Sequence, residues 1–256
     1  MTTKPVTPLP KYGAIIRFPD APPEEMTAYH HVNFPGYPGS LSLHFGNPET
    51  TVILSEVAAA LMPTRDRRGV RYPDLLVAFN ANPAAIIPRN GYLIPEQGKP
   101  PDFVLEVASE STGDIDEDEK RRDYAGMGVS EYWRFDHTGG DFHSVPLAGD
   151  RLVGEEYQPI AITKIDDEHY RGHSDALNLD ICWEYGELRL YDPLAQRYLP
   201  NFQEKDEQLR AAETQRDTAE ARANTEREAR IRAEARIREL EAQLHQQQSP
   251  DPPETP

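Results

Sequence analysis

Residues 72–79 read YPDLLVAF, residues 100–112 read PPDFVLEVASEST and residues 119–133 read EKRRDYAGMGVSEYW. The first two each set a short apolar run behind a Pro-Asp turn, the pattern of a buried strand bounded by a turn signal. They predict strands over 72–79 and 103–108. Ile115–Gly126 is a charged helical segment that should end near Gly126 or Gly128, since glycine is the usual helix C-cap. EYWRF at 131–135 predicts a third strand. Working outward, ETTVILSEVAAAL at 49–61 has helical spacing through Val52, Leu54, Val57, Ala58 and Leu61, with Pro63 as its stop. Downstream, turn signals at Gly139-Gly140, Gly149-Asp150, Gly172 and Gly186 divide the chain into antiparallel strands near 142–147, 151–157, 160–164, 168–172 and 187–191. Strand, helix and strand followed by hairpins give an α/β (α+β) domain with a mixed central sheet and flanking helices over residues 41–200.

The flanks have different compositions. Residues 1–40 hold KPVTPLPKYG, RFPDAPPEE and NFPGYPGS, an extended Pro-rich arm that cannot be mostly helix and that has room for a short strand at 13–18. Residues 201–248 contain no Gly or Pro and are rich in Ala, Glu, Arg and Gln, which predicts a long helix. Its heptads are loose. One series runs Leu209, Arg216, Ala223, Arg230, Ile237, Leu244, and the other Ala212, Ala219, Glu226, Ala233, Leu240. Only Ile237, Leu240 and Leu244 form a proper seam. Two readings stand: a solvated helix held by pairs such as Glu226–Arg230 and Glu234–Arg238, or a weak coiled coil that pairs chains. A polar helix of this length gains little alone, which favours a homo-oligomer. Residues 249–256, polar and Pro-rich, are expected to be disordered.

The 256 residues carry a net charge of −17 and a single cysteine, Cys182. The helix has nine basic and eleven acidic residues and the tail adds Asp251 and Glu254, so residues 1–199 keep −13. Bulk charge therefore argues against a protein that coats nucleic acid or anionic membranes. One cysteine excludes an intramolecular disulfide framework and a cysteine zinc cluster. No apolar run has the length of a membrane span, the first residues lack a signal-peptide core, and a cytoplasmic location is expected.

Two acids interrupt the apolar strands. Asp74 opens the first, and Glu106 lies inside FVLEVA, where a carboxylate is costly unless paired or bound to a metal. If the strands are neighbours, the two carboxylates converge and suit a hard cation such as Mg²⁺ or Mn²⁺. Lys120, on the following helix, can orient a water or balance phosphate charge. The plainer alternatives are a turn aspartate at 74, a structural Glu106 paired with Arg71 or Arg121, and a solvated Lys120. Asp102 reads as a turn residue. Tyr124, Tyr132 and Trp133 read as core aromatics. The histidines show no metal-ligand spacing, and neither a G-x-S-x-G turn nor a P-loop occurs.

These residues together resemble a family. Pro73-Asp74, Glu106-Val107-Ala108-Ser109, Ser111-Thr112, Lys120, Tyr124-Ala125, Gly128-Val129 and Glu131-Tyr132-Trp133 are similar to the restriction endonuclease family of the Uma-two type, within the PD-(D/E)XK nuclease superfamily. The closing GELRLYDPLAQRYLP and the charged helix are also similar, so the likeness spans roughly 50–248. It implies a restriction-endonuclease-like fold, a Mg²⁺- or Mn²⁺-dependent endonuclease acting on DNA, Asp74 and Glu106 as metal ligands, and Asp74, Glu106 and Lys120 as the catalytic set. The chain departs from the superfamily pattern in having Ala108, two residues after the glutamate, where a lysine is usual; Lys120 takes that role. Glu56 and Ser109 are further candidates for the site. The second function reading is a catalytically inactive module of the same fold that binds or assembles through its C-terminal helix. The acidic globular part and Ala108 favour it.

Overall fold

The apolar runs around Asp74 and Glu106 form the middle of one sheet. The protein is seen in a computed structural model that describes residues 15–21, 29–110 and 116–248. Its strands are β1 (Thr51–Leu54), β2 (Ala58–Ala60), β3 (Val70–Arg71), β4 (Leu75–Phe79), β5 (Gly91–Leu93), β6 (Phe103–Val107), β7 (Glu131–Phe135), β8 (Leu147–Val153), β9 (Glu156–Pro159), β10 (Ile162–Asp166), β11 (His169–Ser174), β12 (Leu179–Glu184), β13 (Glu187–Asp192) and β14 (Arg197–Tyr198). The principal helices are α1 (Tyr37–Phe45), α2 (Arg121–Met127) and α3 (Phe202–Gln248). The chain divides into two units, Met1–Phe202 and Gln203–Pro256.

The central sheet has the order β1-β4-β6-β7-β8-β9. It is mixed: β6 and β7 run parallel, and the other neighbours are antiparallel. The parallel pair is joined through α2, a right-length crossover for such a pair. A five-stranded sheet, β10 to β14 in sequence order, and a three-stranded sheet, β3-β2-β5, complete the first unit.

Side chains alternate across each strand, and both faces of the central sheet are covered. Leu75, Val77, Phe103, Leu105, Trp133 and Phe135 pack with Leu179, Ile181, Trp183 and Leu190 of the five-stranded sheet. Leu76, Ala78, Val104 and Tyr132 face the other way and pack with Tyr124, Met127 and Val129 of the α2 region. Trp133 needs glycine beneath it. A Cβ on Gly149 or Gly172 would sit 2.9 or 2.8 Å from the indole ring.

The strands at 75–79, 103–107 and 131–135 and the helix ending at Gly128 agree with the sequence. The helix is irregular at its start, with a π-helical turn at Asp116–Lys120 leading into α2, and Gly128 caps it at φ 81°.

Other expectations are corrected. Residues 49–61 are not a helix. β-branched Thr51, Val52 and Ile53 pair antiparallel with β4 from Thr51↔Phe79 to Leu54↔Leu76, and strand pairing overrides the helical spacing. The chain then bends at Glu56, whose φ is 54° and whose N–H donates to the Pro73 carbonyl at 2.9 Å. In the arm, a π-helical turn at Tyr29–Asn33 and α1 are helical despite the prolines. Pro38 lies in the first turn of α1, where a missing N–H costs nothing. Residues 15–18 form no strand, although the Phe18 N–H donates to the Arg89 carbonyl at 2.7 Å. Downstream, the strand near 142–147 begins at Leu147, and β12 has no counterpart in the expected set. It starts after Asn178, whose φ is 52°, so the turn signal there is an asparagine and not a glycine. The Ser111-Thr112 pair, residues 13–14 and the tail at 249–256 lie outside the described residues. Among those described, no helix is long and apolar enough to cross a membrane.

Candidate active site

Register places the two acids. β4 and β6 pair as Leu75↔Leu105 and Leu76↔Val104. The ladder ends at Leu75↔Leu105, with Asp74 in the bend just before β4 and Glu106 the next residue of β6, so both acids lie at this end of the pair. Parity decides the face of Glu106, which shares its side with Val104, toward α2. The Asp74 charge acts on the same Tyr124 phenol as that of Glu106. Both carboxylates are buried, at 4% and 1% exposure.

Each is held at the atomic level. Asp74 Oδ2 accepts the Val107 N–H at 2.6 Å, so its side chain continues the ladder where the strand has ended. Glu106 Oε2 receives the Lys120 ammonium at 2.9 Å, and Glu106 Oε1 accepts the Tyr124 hydroxyl at 2.5 Å. Lys120 and Tyr124 are four residues apart, one helical turn, and so reach the same carboxylate. The Tyr124 phenol is pushed well above its ordinary pKa, first by burial and then by the negative charges of Glu106 and Asp74 beside it. It is therefore a fixed donor at any physiological pH.

The structure thus brings Asp74, Glu106 and Lys120 together. Arg71 pairs with Glu119 and Asp123 and Arg121 with Asp150, so neither is the partner of Glu106. Glu56 lies on a bend with its side chain exposed. Ser109 is buried two residues past the end of β6. Asp102 does more than turn the chain: its Oδ2 accepts the Phe79 N–H at 2.7 Å and the Lys99 ammonium at 2.5 Å.

Three residues have roles that the sequence does not show. Tyr124 is a core aromatic by burial, but its hydroxyl carries the contact to Glu106; its position one turn after Lys120 was the available signal. Arg134 is the register partner of Glu106 on β7. Its guanidinium binds Asp150 Oδ2 at 2.9 Å, while Arg121 binds Asp150 Oδ1 at 2.9 Å. Arg71 fixes the turn that carries Lys120, since Glu119 and Asp123 flank it on the same helical segment.

Among the described residues no three His, Cys, Asp or Glu side chains gather as a metal cluster. Asp74 and Glu106 are both buried carboxylates, and a dication is one way to balance buried negative charge. Mg²⁺ commonly takes one or two carboxylates and completes its shell with water and substrate phosphate. Carboxylate oxygens also carry more than one lone pair, so hydrogen-bonded oxygens still have ligand capacity. Asp74 and Glu106 therefore fit such an ion.

The fold and this cluster define a mixed α/β domain with an acid pair and a lysine at the end of its central strands. A family model described as "Putative restriction endonuclease" (Uma2) matches residues 41–172. This is just over half of the chain, and the chain belongs to that family. The match contains Asp74, Glu106 and Lys120 and stops before GELRLYDPLAQRYLP and α3, so it is shorter than the likeness read from motifs. No curated protein matches. Among solved structures, a "putative nuclease" from Anabaena variabilis is similar at 14% identity with a TM-score of 0.34, over 50% of this chain and 66% of that one. The similarity thus spans just under two thirds of that protein's length.

Proposed function

We propose that the chain is a metal-dependent endonuclease that hydrolyses phosphodiester bonds in DNA, with Mg²⁺ or Mn²⁺ held by Asp74 and Glu106. The observation that carries this reading is the meeting of two buried acids at one end of β4 and β6, Asp74 held by the Val107 N–H and Glu106 bound by Lys120. When bound, the cation supplies Lewis acidity to the phosphoryl group and acidifies water. The protein's own groups do the positioning. The Val107 N–H fixes Asp74, and the Tyr124 hydroxyl orients Glu106. The Lys120 ammonium balances charge that builds on the phosphate and orients the attacking water. Buried Cys182, its thiol pushed up to about 12 chiefly by burial, takes no part and suits a reducing cytoplasm. The test is plasmid nicking with and without Mg²⁺ or Mn²⁺, comparing wild type with Asp74→Asn. Metal-dependent nicking lost in the variant is expected. Metal-independent nicking would end the assignment.

We also propose that α3 joins copies of the chain. Leu209, Ile231, Ile237, Leu240 and Leu244 are exposed along it. Its ion pairs, such as Arg230–Glu234 and Arg232–Glu228, lie within the one helix. Arg230 pairs forward to Glu234, not back to Glu226. Exposed pairs of this kind contribute roughly 0.3–0.5 kcal/mol each, too little to hold an isolated apolar seam in water. Removal of residues 203–256 is expected to reduce the sedimentation mass to that of a monomer while the circular dichroism of the first unit persists. An unchanged oligomer would place the interface elsewhere.

A further inference from the structure

Residues 61–69, LMPTRDRRG, connect β2 to β3. Arg65, Arg67 and Arg68 are all exposed, and the Arg68 side chain is 92% accessible. Arg17 joins them through Asp20, whose carbonyl accepts Arg67 Nη2 at 3.2 Å and whose carboxylate lies 3.4 Å from Arg17 Nη2. Arg68 is paired with Asp66 at 2.7 Å and Arg17 with Asp20, and Arg65 lies on the same loop, so four arginines stand against two aspartates. That local excess of positive charge stands in a chain of net −17. Self-repulsion among clustered arginines opposes such a patch, and a polyanion relieves it.

The patch leads into the site. β3 follows the loop directly, and Asp74 comes six residues after Arg68, a reach of at most about 20 Å. Double-stranded DNA presents on the order of a dozen phosphates over that length. Arg71, next along the same strand, pairs with Glu119 and Asp123 and offsets part of the negative charge that flanks Lys120. Guanidinium groups match phosphate oxygens through paired donors.

We propose that the 61–69 loop, with Arg17, is the surface that grips duplex DNA by its phosphates and delivers it to Asp74 and Glu106. The proposal rests on the nuclease reading for its purpose, but its test is separate. Binding of a labelled short duplex is measured by fluorescence anisotropy in EDTA between about 50 and 200 mM salt. Wild type is compared with Arg65→Gln/Arg68→Gln. The control is Arg222→Gln/Arg227→Gln on α3, which changes net charge equally in the other unit. The loop variant is expected to lose roughly tenfold in affinity per arginine at low salt, and its log–log salt slope should shrink by about 0.9 for each lost phosphate contact. The control should keep the wild-type slope. Equal slopes in wild type and loop variant, or no duplex binding by wild type, would overturn the proposal. So would tighter, equally arginine-dependent binding of RNA. Since no metal is present, a protein that nicks plasmid with an unchanged slope retains its nuclease assignment and loses this one. A loop variant that loses duplex binding supports the loop even where no nicking is seen.

Discussion

Glu106→Gln is expected to lower metal-dependent nicking by on the order of 10²–10³ or more while the protein stays folded. Glutamine keeps the volume of a side chain that is 1% exposed, and its carbonyl oxygen still accepts a hydrogen bond from Tyr124 or Lys120. What it removes is the negative charge. A cation then loses one of its two charged candidate ligands, and the Lys120 ammonium, 14% exposed, loses the Glu106 charge beside it. Losing one partner of a buried pair costs a few kcal/mol. Here that cost is reduced because Lys120 has some solvent and the amide oxygen remains an acceptor. The measurement pairs initial nicking rates with thermal unfolding of the same sample. A rate equal to wild type would remove Glu106 from the chemistry, whatever the stability.

The distinction matters because the sequence could name Glu106 and Lys120 but not the Tyr124 hydroxyl that shares the carboxylate with Lys120. A carboxylate in FVLEVA is legible because nothing else in the run is polar. The strands at 75–79, 103–107 and 131–135 are legible for the same reason, and so is the Gly128 cap. The meeting of Asp74 and Glu106 was conditional on pairing between segments some thirty residues apart, which no local pattern fixes. Residues 51–60 were misread because Val52, Leu54, Val57, Ala58 and Leu61 satisfy the helical period by coincidence. Their strand character comes from partners distant in sequence: β4 for Thr51–Leu54, and β3 and β5 for Ala58–Ala60. β12 was missed because Asn178, not glycine, supplies the left-handed turn before it. Arg134 is an ordinary strand residue until β7 is laid against β6, and Tyr124 is an ordinary buried aromatic but for its place one turn after Lys120.

Glu131 is the clearest case of a motif residue whose work is structural, and Glu131→Ala is expected to be the most destabilising of these changes. Parity puts Glu131 on the face of Trp133 and Phe135, away from the Glu106 side. It is 1% exposed. Its Oε2 accepts the Trp133 indole N–H at 3.1 Å and the Ser174 hydroxyl at 2.6 Å. Its Oε1 accepts Arg151 at 2.9 Å and the backbone N–H groups of Asp175 and Ala176 at 2.9 and 3.3 Å. Ser174 ends β11 and the next two residues begin the turn to β12, so one carboxylate fastens the five-stranded sheet to the central one. Alanine would strand buried donors of the indole, the hydroxyl and the backbone. Each such loss costs about 1–3 kcal/mol. The Arg151 contact adds little, because that side chain is 37% exposed and exposed pairs are screened. Four such donors put the total at about 4 kcal/mol or more, or roughly 10 °C or more in Tm for a unit of this size. Glu131→Gln, which keeps one acceptor oxygen, should lose less than half of that. Thermal and urea unfolding of the three proteins checks the order. At a temperature where Glu131→Ala remains folded, nicking should persist, in contrast to Glu106→Gln. A stable Glu131→Ala protein that has lost nicking would instead make Glu131 part of the active site and break the division of labour between the two faces of the sheet.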